Sequence, residues 1–338
     1  MNIGYKKLKG GYIAELEILG KTNENRKNIA NPQYAKYRTS KVKVLKIFHM
    51  SADETQVNDE IQIIKQMNGL HDTNFVYTIG EEIRVDDYDE DVNVVCSRGI
   101  HYFKTPYQAK MWNLSLNNYT GKFIEWRENG NKEYEGEYKN GKEEGKWIEW
   151  YKNGNVGYEK EYKDGKLEGK WNGWWENGNK QYEGKIKDGE YEGKWIAWYE
   201  NGNKKYEREY KDGKSEEKEI WWYESGNKMY EREYKNGKKE GKWIEWYEDG
   251  TPQYEGEYKD GEKEGTWIGW YNNGTFKYKG KYRNGKSEGK YIEWYQNGTI
   301  ECEGEYKDGN FEGKRISMLG KKMDWIFSNF NSLLPPRI

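Results

Sequence analysis

From residue 121 onward the polar and apolar positions settle into a fixed period. Trp126, Trp150, Trp174, Trp198, Trp222, Trp246, Trp270 and Trp294 stand 24 residues apart, and Gly130, Gly154, Gly178, Gly202, Gly226, Gly250, Gly274 and Gly298 follow at one offset. Tyr134, Tyr158, Tyr182, Tyr206, Tyr230, Tyr254 and Tyr278 continue the series, with Cys302 in the eighth place. Eight copies fill 121–313 without insertion or deletion. Inside a copy, aromatic and β-branched residues alternate with Glu and Lys, and Asn-Gly or Asp-Gly pairs punctuate the alternation. That is the period and turn chemistry of strands. Four or so glycines per copy, each costing about 1 kcal/mol in a helix interior, exclude the helical alternative. Each copy predicts two antiparallel strands, about 16 in all.

The loop length decides which face is apolar, because a one-residue slip turns every side chain over. In the second copy Ile148 and Trp150 share one face of the first strand, and Trp147, Glu149 and Tyr151 share the other. A two-residue Asn153-Gly154 turn places Tyr158 with Glu149. A three-residue loop, Lys152-Asn153-Gly154 with Gly154 left-handed, places Tyr158 with Ile148 and Trp150. The second register separates apolar from charged better and is the expectation. It puts Trp147, Trp171, Trp195, Trp243 and Trp267 on the charged face. There they read either as exposed interaction anchors or as rings covered by their neighbours.

Residues 1–113 lack the period. Gly11–Leu19 and Val42–Phe48 read as strands, and Ser51-Ala-Asp-Glu54 is a capping box ahead of Ile61, Ile63, Ile64 and Met67, which predicts a helix. Thr105-Pro106 predicts the start of a second short helix reaching Trp112. This segment is expected to be a small α+β domain. In 314–338, Ile316, Leu319, Met323, Ile326, Phe327 and Phe330 fall at helical spacing before Pro335-Pro336. The expectation there is a capping helix over the last strand edge; the alternative is an amphipathic membrane helix. The fold class is thus mainly β: a small α+β domain, an elongated antiparallel β-hairpin array and a C-terminal capping helix.

Composition alone points elsewhere. Of 338 residues, 34% are hydrophobic and 34% charged, a balance typical of disorder, but 17% are aromatic, with 17 Trp and 31 Tyr. The period explains the conflict, since regularly placed rings can bury one another. With 57 basic and 59 acidic residues there is no bulk field to draw nucleic acid. Cys96 and Cys302 are too few and too far apart for a disulfide framework, and the start of the chain lacks the apolar core of a signal peptide. No apolar run approaches membrane-spanning length. An intracellular, cytoplasmic location is the expectation.

The residues that carry chemistry are sparse. Asp87, Asp89 and Asp91 match the first ligands of a calcium loop, but Val92 and Arg98 stand where its glycine and closing glutamate belong. A solvated turn is expected. Cys96 and His101 lie an odd number of residues apart and so on opposite faces of a strand. Phosphate loops, nucleophile triads and dinucleotide fingerprints are absent from the sequence, and the array has no histidine. No enzyme, cofactor or metal is expected. The seventh copy, 266–289, differs in charge: Lys277, Lys279, Lys281, Arg283 and Lys286 face Glu288 alone, between acidic neighbours. Those cations read as partners for adjacent strands or as a contact for lipid headgroups or phosphate.

The run Tyr-Glu-Gly-Glu-Tyr-Lys-Asp-Gly-Lys-x-Glu-Gly-Lys-Trp resembles MORN repeats, in the 24-residue variant of bacterial antitoxin-like proteins. The fifth copy departs from it, with Glu217 for a glycine and Glu219 for a tryptophan, and Arg315 ends the series. The stretch Ile79–Asp91 followed by Cys96–Phe103 is similar to an uncharacterised domain found beside such repeats in large DNA viruses of amoebae and in some bacteria. These resemblances imply an elongated antiparallel sheet, a role in protein or lipid contacts, and host-cell cytoplasm if the source is viral. The expected function is a non-enzymatic interaction or scaffold protein with an unidentified protein partner. Binding to an anionic membrane surface and antitoxin-like neutralisation are the alternatives.

Overall fold

The computed structural model describes residues 1–50, 64–71, 75–307, 310–316 and 322–323. They divide into two compact units, 1–178 and 179–338. The first holds the aperiodic segment and five array strands, from Gly121–Trp126 to Lys166–Trp174; the second holds twelve, from Lys180–Lys187 to Asn310–Ile316, and the short Lys322–Met323. The array strands number 17, one more than the period predicts, because Asn310–Ile316 continues past the eighth copy.

The N-terminal segment is mainly β. Its strands are β1 (Ile3–Lys7), β2 (Tyr12–Ile18), β3 (Tyr37–Thr39), β4 (Lys41–His49), β5 (Gln66–Asn68), β6 (Val76–Thr78), β7 (Glu82–Arg84) and β8 (Ile100–Tyr102). An antiparallel sheet runs β1-β2-β4-β7, with two small ladders, β3-β8 and β5-β6. Alternation sorts the core. Ala14, Leu16, Val42 and Val44 pack on one side with Leu8, Tyr77 and Ile100, while Ile13 and Phe48 pack on the other with Phe103 and Ala109. A bulge at Leu45 lets Ile47 rejoin the side of Val44.

The helix α1 (Pro106–Met111) forms where expected, with Thr105 Oγ1 accepting from the Gln108 amide at 3.2 Å. The helix expected after Ser51 falls mostly on residues outside those described. Its last marker, Met67, lies in β5, so the described part of this segment is a β domain with one short helix and not a balanced α+β domain. No helix among the described residues is long and apolar enough to cross a membrane.

The N-terminal domain grips the first array loop. The Ala30 and Asn31 amides donate to the Asn129 carbonyl at 3.0 and 3.1 Å, and Arg26 ties the Lys36 and Glu128 carbonyls together. Tyr34 stacks on Trp126 at 5.2 Å and 7°. Gly130 is needed here: its φ is +91°, and a Cβ would fall 2.0 Å from the Asn31 carbonyl oxygen.

The array corrects the expected register. The loop itself is as predicted: the Tyr151 amide donates to the Asn155 carbonyl at 2.8 Å, and Gly154 is left-handed at φ +92°. Beyond it, however, Trp150 faces Val156 while Glu149 faces Tyr158, so Gly157 is an extra residue. This bulge turns the rest of the strand over. Tyr158 and Tyr162 therefore share a face with Trp147 and Glu149, not with Ile148 and Trp150. Bulges recur at Lys205, Met229, Gln253, Lys277 and Glu301, and no residue type marks the position.

One face of the array is thus a Trp–Tyr surface. The other carries Ile, a second Trp, Glu and Lys. The opposite hairpin turns are Asn-Gly or Asp-Gly with both residues left-handed, as in Asp164-Gly165 at φ +49° and +77°. The period is locked by side chains reaching one copy ahead. Tyr151, Tyr199, Tyr223, Tyr247 and Tyr271 each donate a hydroxyl to the carbonyl of the next copy's tryptophan, at 2.8–3.0 Å.

The C-terminal capping helix is not formed over its described markers. Ile316 ends a strand and pairs with Lys322, while Arg315 pairs with Met323. Leu319, Ile326, Phe327 and Phe330 lie outside the described residues.

Candidate interaction surface

The register decides what the singled-out tryptophans do. Trp195, Trp243 and Trp267 are 4%, 4% and 1% exposed, so they are not anchors standing among charges but the covered centre of the aromatic face. Trp147 and Trp171 are half-buried on the same face. Trp267 packs edge-on to Tyr258 at 5.1 Å and donates to the Glu257 carbonyl at 3.2 Å. Such ring pairs contribute about 0.5–1.5 kcal/mol each beyond simple burial. Glycine on the flanking strand makes room: a Cβ at Gly184 would fall 2.1 Å from the Trp195 ring, and one at Gly256 2.2 Å from that of Trp267.

The fifth copy replaces this glycine–tryptophan arrangement with charge. Arg208 and Arg232 stand at the flanking glycine positions, and Glu219, 4% exposed, stands where the tryptophan belongs, paired across the strands with both. The Arg208 guanidinium is 3.7 Å from the Glu219 carboxylate, and Arg232 bonds to Glu245. Tryptophan reappears two positions later as Trp221, between Tyr206 and Tyr230 at 5.0 and 5.7 Å, donating to Glu219 at 2.7 Å. The departure is closed within the sheet. Glu217, in place of a repeat glycine, keeps that glycine's left-handed backbone at φ +56°.

The opposite face follows a rule of charge. Across adjacent strands Lys146, Lys194, Lys218 and Lys290 pair with Glu159, Glu207, Glu231 and Glu303 at 2.8, 2.6, 2.6 and 3.3 Å. A further lysine at the start of the second strand lies over a tryptophan, as Lys204 does over Trp222 at 5.5 Å and Lys228 over Trp246 at 5.6 Å. It also bonds to the same glutamate, at 2.8 Å in both copies.

The seventh copy departs from that rule at four positions, two of them with inverted charge. Phe276 replaces the leading lysine, lies between Trp270 and Trp294 at 6.0 and 5.5 Å, and is 49% exposed. Lys279 and Lys281 replace the two glutamates, and Thr266 replaces the cross-strand lysine, directly opposite Lys281. Lys277 occupies the bulge, 5.8 Å from the Tyr271 ring centre. Glu288 stands across from Lys281, but its carboxylate bonds to Arg283 at 3.0 Å. Lys277, Lys279 and Lys281 are exposed and, among the described residues, make no ion pair. Pairing with adjacent strands is therefore met by Arg283 and not by the three lysines. Sequence reasoning found the charge but missed Phe276 and Thr266, whose meaning depends on the face they share.

The remaining candidates are held by local bonds. The acidic run wraps a fully buried arginine: Arg38 donates to the Val94 carbonyl at 2.9 Å and to the carbonyls of Asp89 and Asp91. Asp89 and Asp91 accept from the Asp91 and Asn93 amides, both at 3.0 Å, in the predicted turn. No group of three metal-binding side chains occurs among the described residues. Cys96 donates to Glu128 at 2.7 Å and accepts from Lys36 at 3.3 Å; burial and the bond to Glu128 push its thiol up. His101 bonds to the Val95 carbonyl at 3.0 Å, and burial, then Lys36 and Lys6, push its imidazole down to about 4. A cavity of about 980 Å³, lined by Arg26, Ile29, Trp112, Trp126 and Arg127, lies beside the gripped loop.

Residues 1–109 match a family of unknown function (DUF5758). Six segments, 119–140, 143–164, 191–212, 218–236, 239–260 and 287–308, match the MORN repeat variant. The array is thus a MORN-variant array behind a DUF5758 domain, and the matched segments pass over 165–190 and 261–286, most of the third and seventh copies. These matches carry no viral source and no antitoxin link. No curated protein matches the chain.

Proposed function

We propose that this protein is a non-enzymatic binding scaffold whose array presents a face to a protein partner, with the N-terminal domain fixed on the first array loop. The observation that carries this reading is the seventh copy. In four other copies a lysine and a glutamate of the polar face neutralise each other across strands; in the seventh, three exposed lysines stand together without an ion pair beside an exposed phenylalanine. Large rings beside unpaired charge are the composition of contact surfaces. The catalytic alternative has weak support, since the thiol of Cys96 is pushed away from reactivity and His101 is held neutral.

The test is crosslinking of the full chain in cells, with crosslinked residues mapped by mass spectrometry. Crosslinks to other proteins from within 121–313 are expected. Partners attached only through 1–113 would sink the scaffold reading. The alternative of an anionic membrane rests on the same lysines, and co-sedimentation with phosphatidylserine vesicles tests it. The antitoxin-like alternative has no residue of its own here.

A further inference from the structure

The seventh copy also indicates what its partner is made of. This inference rests on the scaffold reading and goes further, to the chemistry of the ligand. Phe276, Lys279, Lys281 and Arg283 lie along one strand on one face. The corresponding row in the eighth copy is Ile300, Glu303, Glu305 and Lys307, and in the fourth it is Lys204, Glu207, Glu209 and Lys211. In those copies the first glutamate of the row takes a lysine from the strand beside it, Glu303 from Lys290 at 3.3 Å and Glu207 from Lys194 at 2.6 Å. In the seventh copy both glutamates of the row are lysines, and the carboxylate across from Lys281, that of Glu288, is bonded to Arg283.

We infer that the missing carboxylates come from outside: the seventh copy is a docking site for an extended acidic peptide segment of a partner protein. Three features fix its form. Lys279 and Lys281 are alternate strand residues, about 6.7 Å apart, which is the spacing of alternate side chains in an extended peptide. Phe276, between Trp270 and Trp294, supplies an apolar platform at one end of the row. Thr266, in place of a lysine, removes the one cross-strand cation that would crowd Lys281. Because Lys277 is the extra residue of the bulge, Phe276 and Lys279 stand opposite Trp270 and Ile268, so the matching extended ligand has a large apolar residue, one spacer, and acidic residues at the next two alternate positions. A flat array of phosphates meets the charge but leaves the ring platform without a fixed match.

The probe is fluorescein-labelled Trp-Ser-Glu-Ser-Glu-Gly, followed by polarisation on the full chain. The variant is Thr266→Lys with Lys279→Glu and Lys281→Glu. It restores what the other copies carry and so retains the fold, which circular dichroism checks. Wild type should bind the probe at least about tenfold more tightly than the variant, a difference of about 1.4 kcal/mol. A probe with Lys for both Glu should not bind, and Phe276→Lys should weaken binding of the acidic probe. Equal binding by wild type and variant overturns the inference. So does the absence of peptide binding when phosphatidylserine vesicles sediment wild type but not the variant; lipid is then the occupant. Cellular crosslinks within 121–313 but away from 266–294 would also overturn it, while leaving the scaffold reading intact.

Discussion

The fifth and seventh copies both break the repeat, and they break it in opposite ways. In the fifth, four changes occur together on the aromatic face, and each answers another. Glu219 replaces a ring, Arg208 and Arg232 replace the glycines that would have flanked it, and Trp221 restores a ring two residues on. In the seventh the changes lie on the other face and are not answered there: among the described residues Lys279 and Lys281 make no ion pair, Glu288 being bonded to Arg283, and Phe276 is half in solvent. A departure closed from within serves the fold. One left open costs a little stability and leaves its charges free for another molecule. Charge composition alone does not separate the two.

The contrast can be broken from the fifth copy with the largest effect. Glu219→Ala leaves Arg208 on the covered face without its carboxylate, next to the strand position that also faces Arg232. Chemical denaturation should show a loss of about 2–3 kcal/mol, in the range for removing one partner of a covered ion pair. Lys279→Ala in the seventh copy should cost within about 0.5 kcal/mol, as for an open surface position. Comparable losses at the two sites would erase the distinction.

Smaller changes sharpen it. Glu217→Gly relieves a left-handed backbone that an L-residue adopts at a cost of about 1 kcal/mol, so the variant should melt higher than wild type. Pairing the seventh copy by Thr266→Lys with Lys279→Glu should add roughly 0.2–1 kcal/mol. A gain there would show that the native seventh copy gives up stability.

The smallest effect is acid sensitivity of the ordinary copies. Burial opposes ionisation of Glu207 and Glu231, but hydrogen bonds from Lys194 and Lys204, and from Lys218 and Lys228, outweigh it and hold both below the usual carboxylate range. A carboxylate with a lowered folded pKa stabilises above the unfolded value, near 4.3, and that contribution is lost as pH falls through the folded one. Melting followed through that window should therefore depend less on pH once Glu207 and Glu231 are both changed to Gln.

Much of the fold is legible in the residues themselves. Asn-Gly and Asp-Gly pairs mark the turns, the constant spacing of Trp marks the copies, and Thr105-Pro106 marks the start of α1. The faces were not legible. The bulge after these loops is occupied by Glu133, Gly157, Lys205, Met229, Gln253, Lys277 and Glu301, which share no property, so alternation counted from the loop puts the tyrosines on the wrong side. The candidate surface was half legible for the same reason. Lysines stand out in any charge count, whereas Thr266 and Phe276 matter only once register places them beside Lys281 and Trp270.

The sequence by itself determined the period, the strand count to within one, the loop geometry and the location of both irregular copies. These follow from local chemistry: propensity, glycine's access to left-handed backbone, and repetition. Tertiary structure alone decided which rings are covered, which charges are neutralised and which stay open. Those depend on what lies one strand away, and a bulge that no residue announces sets that neighbour.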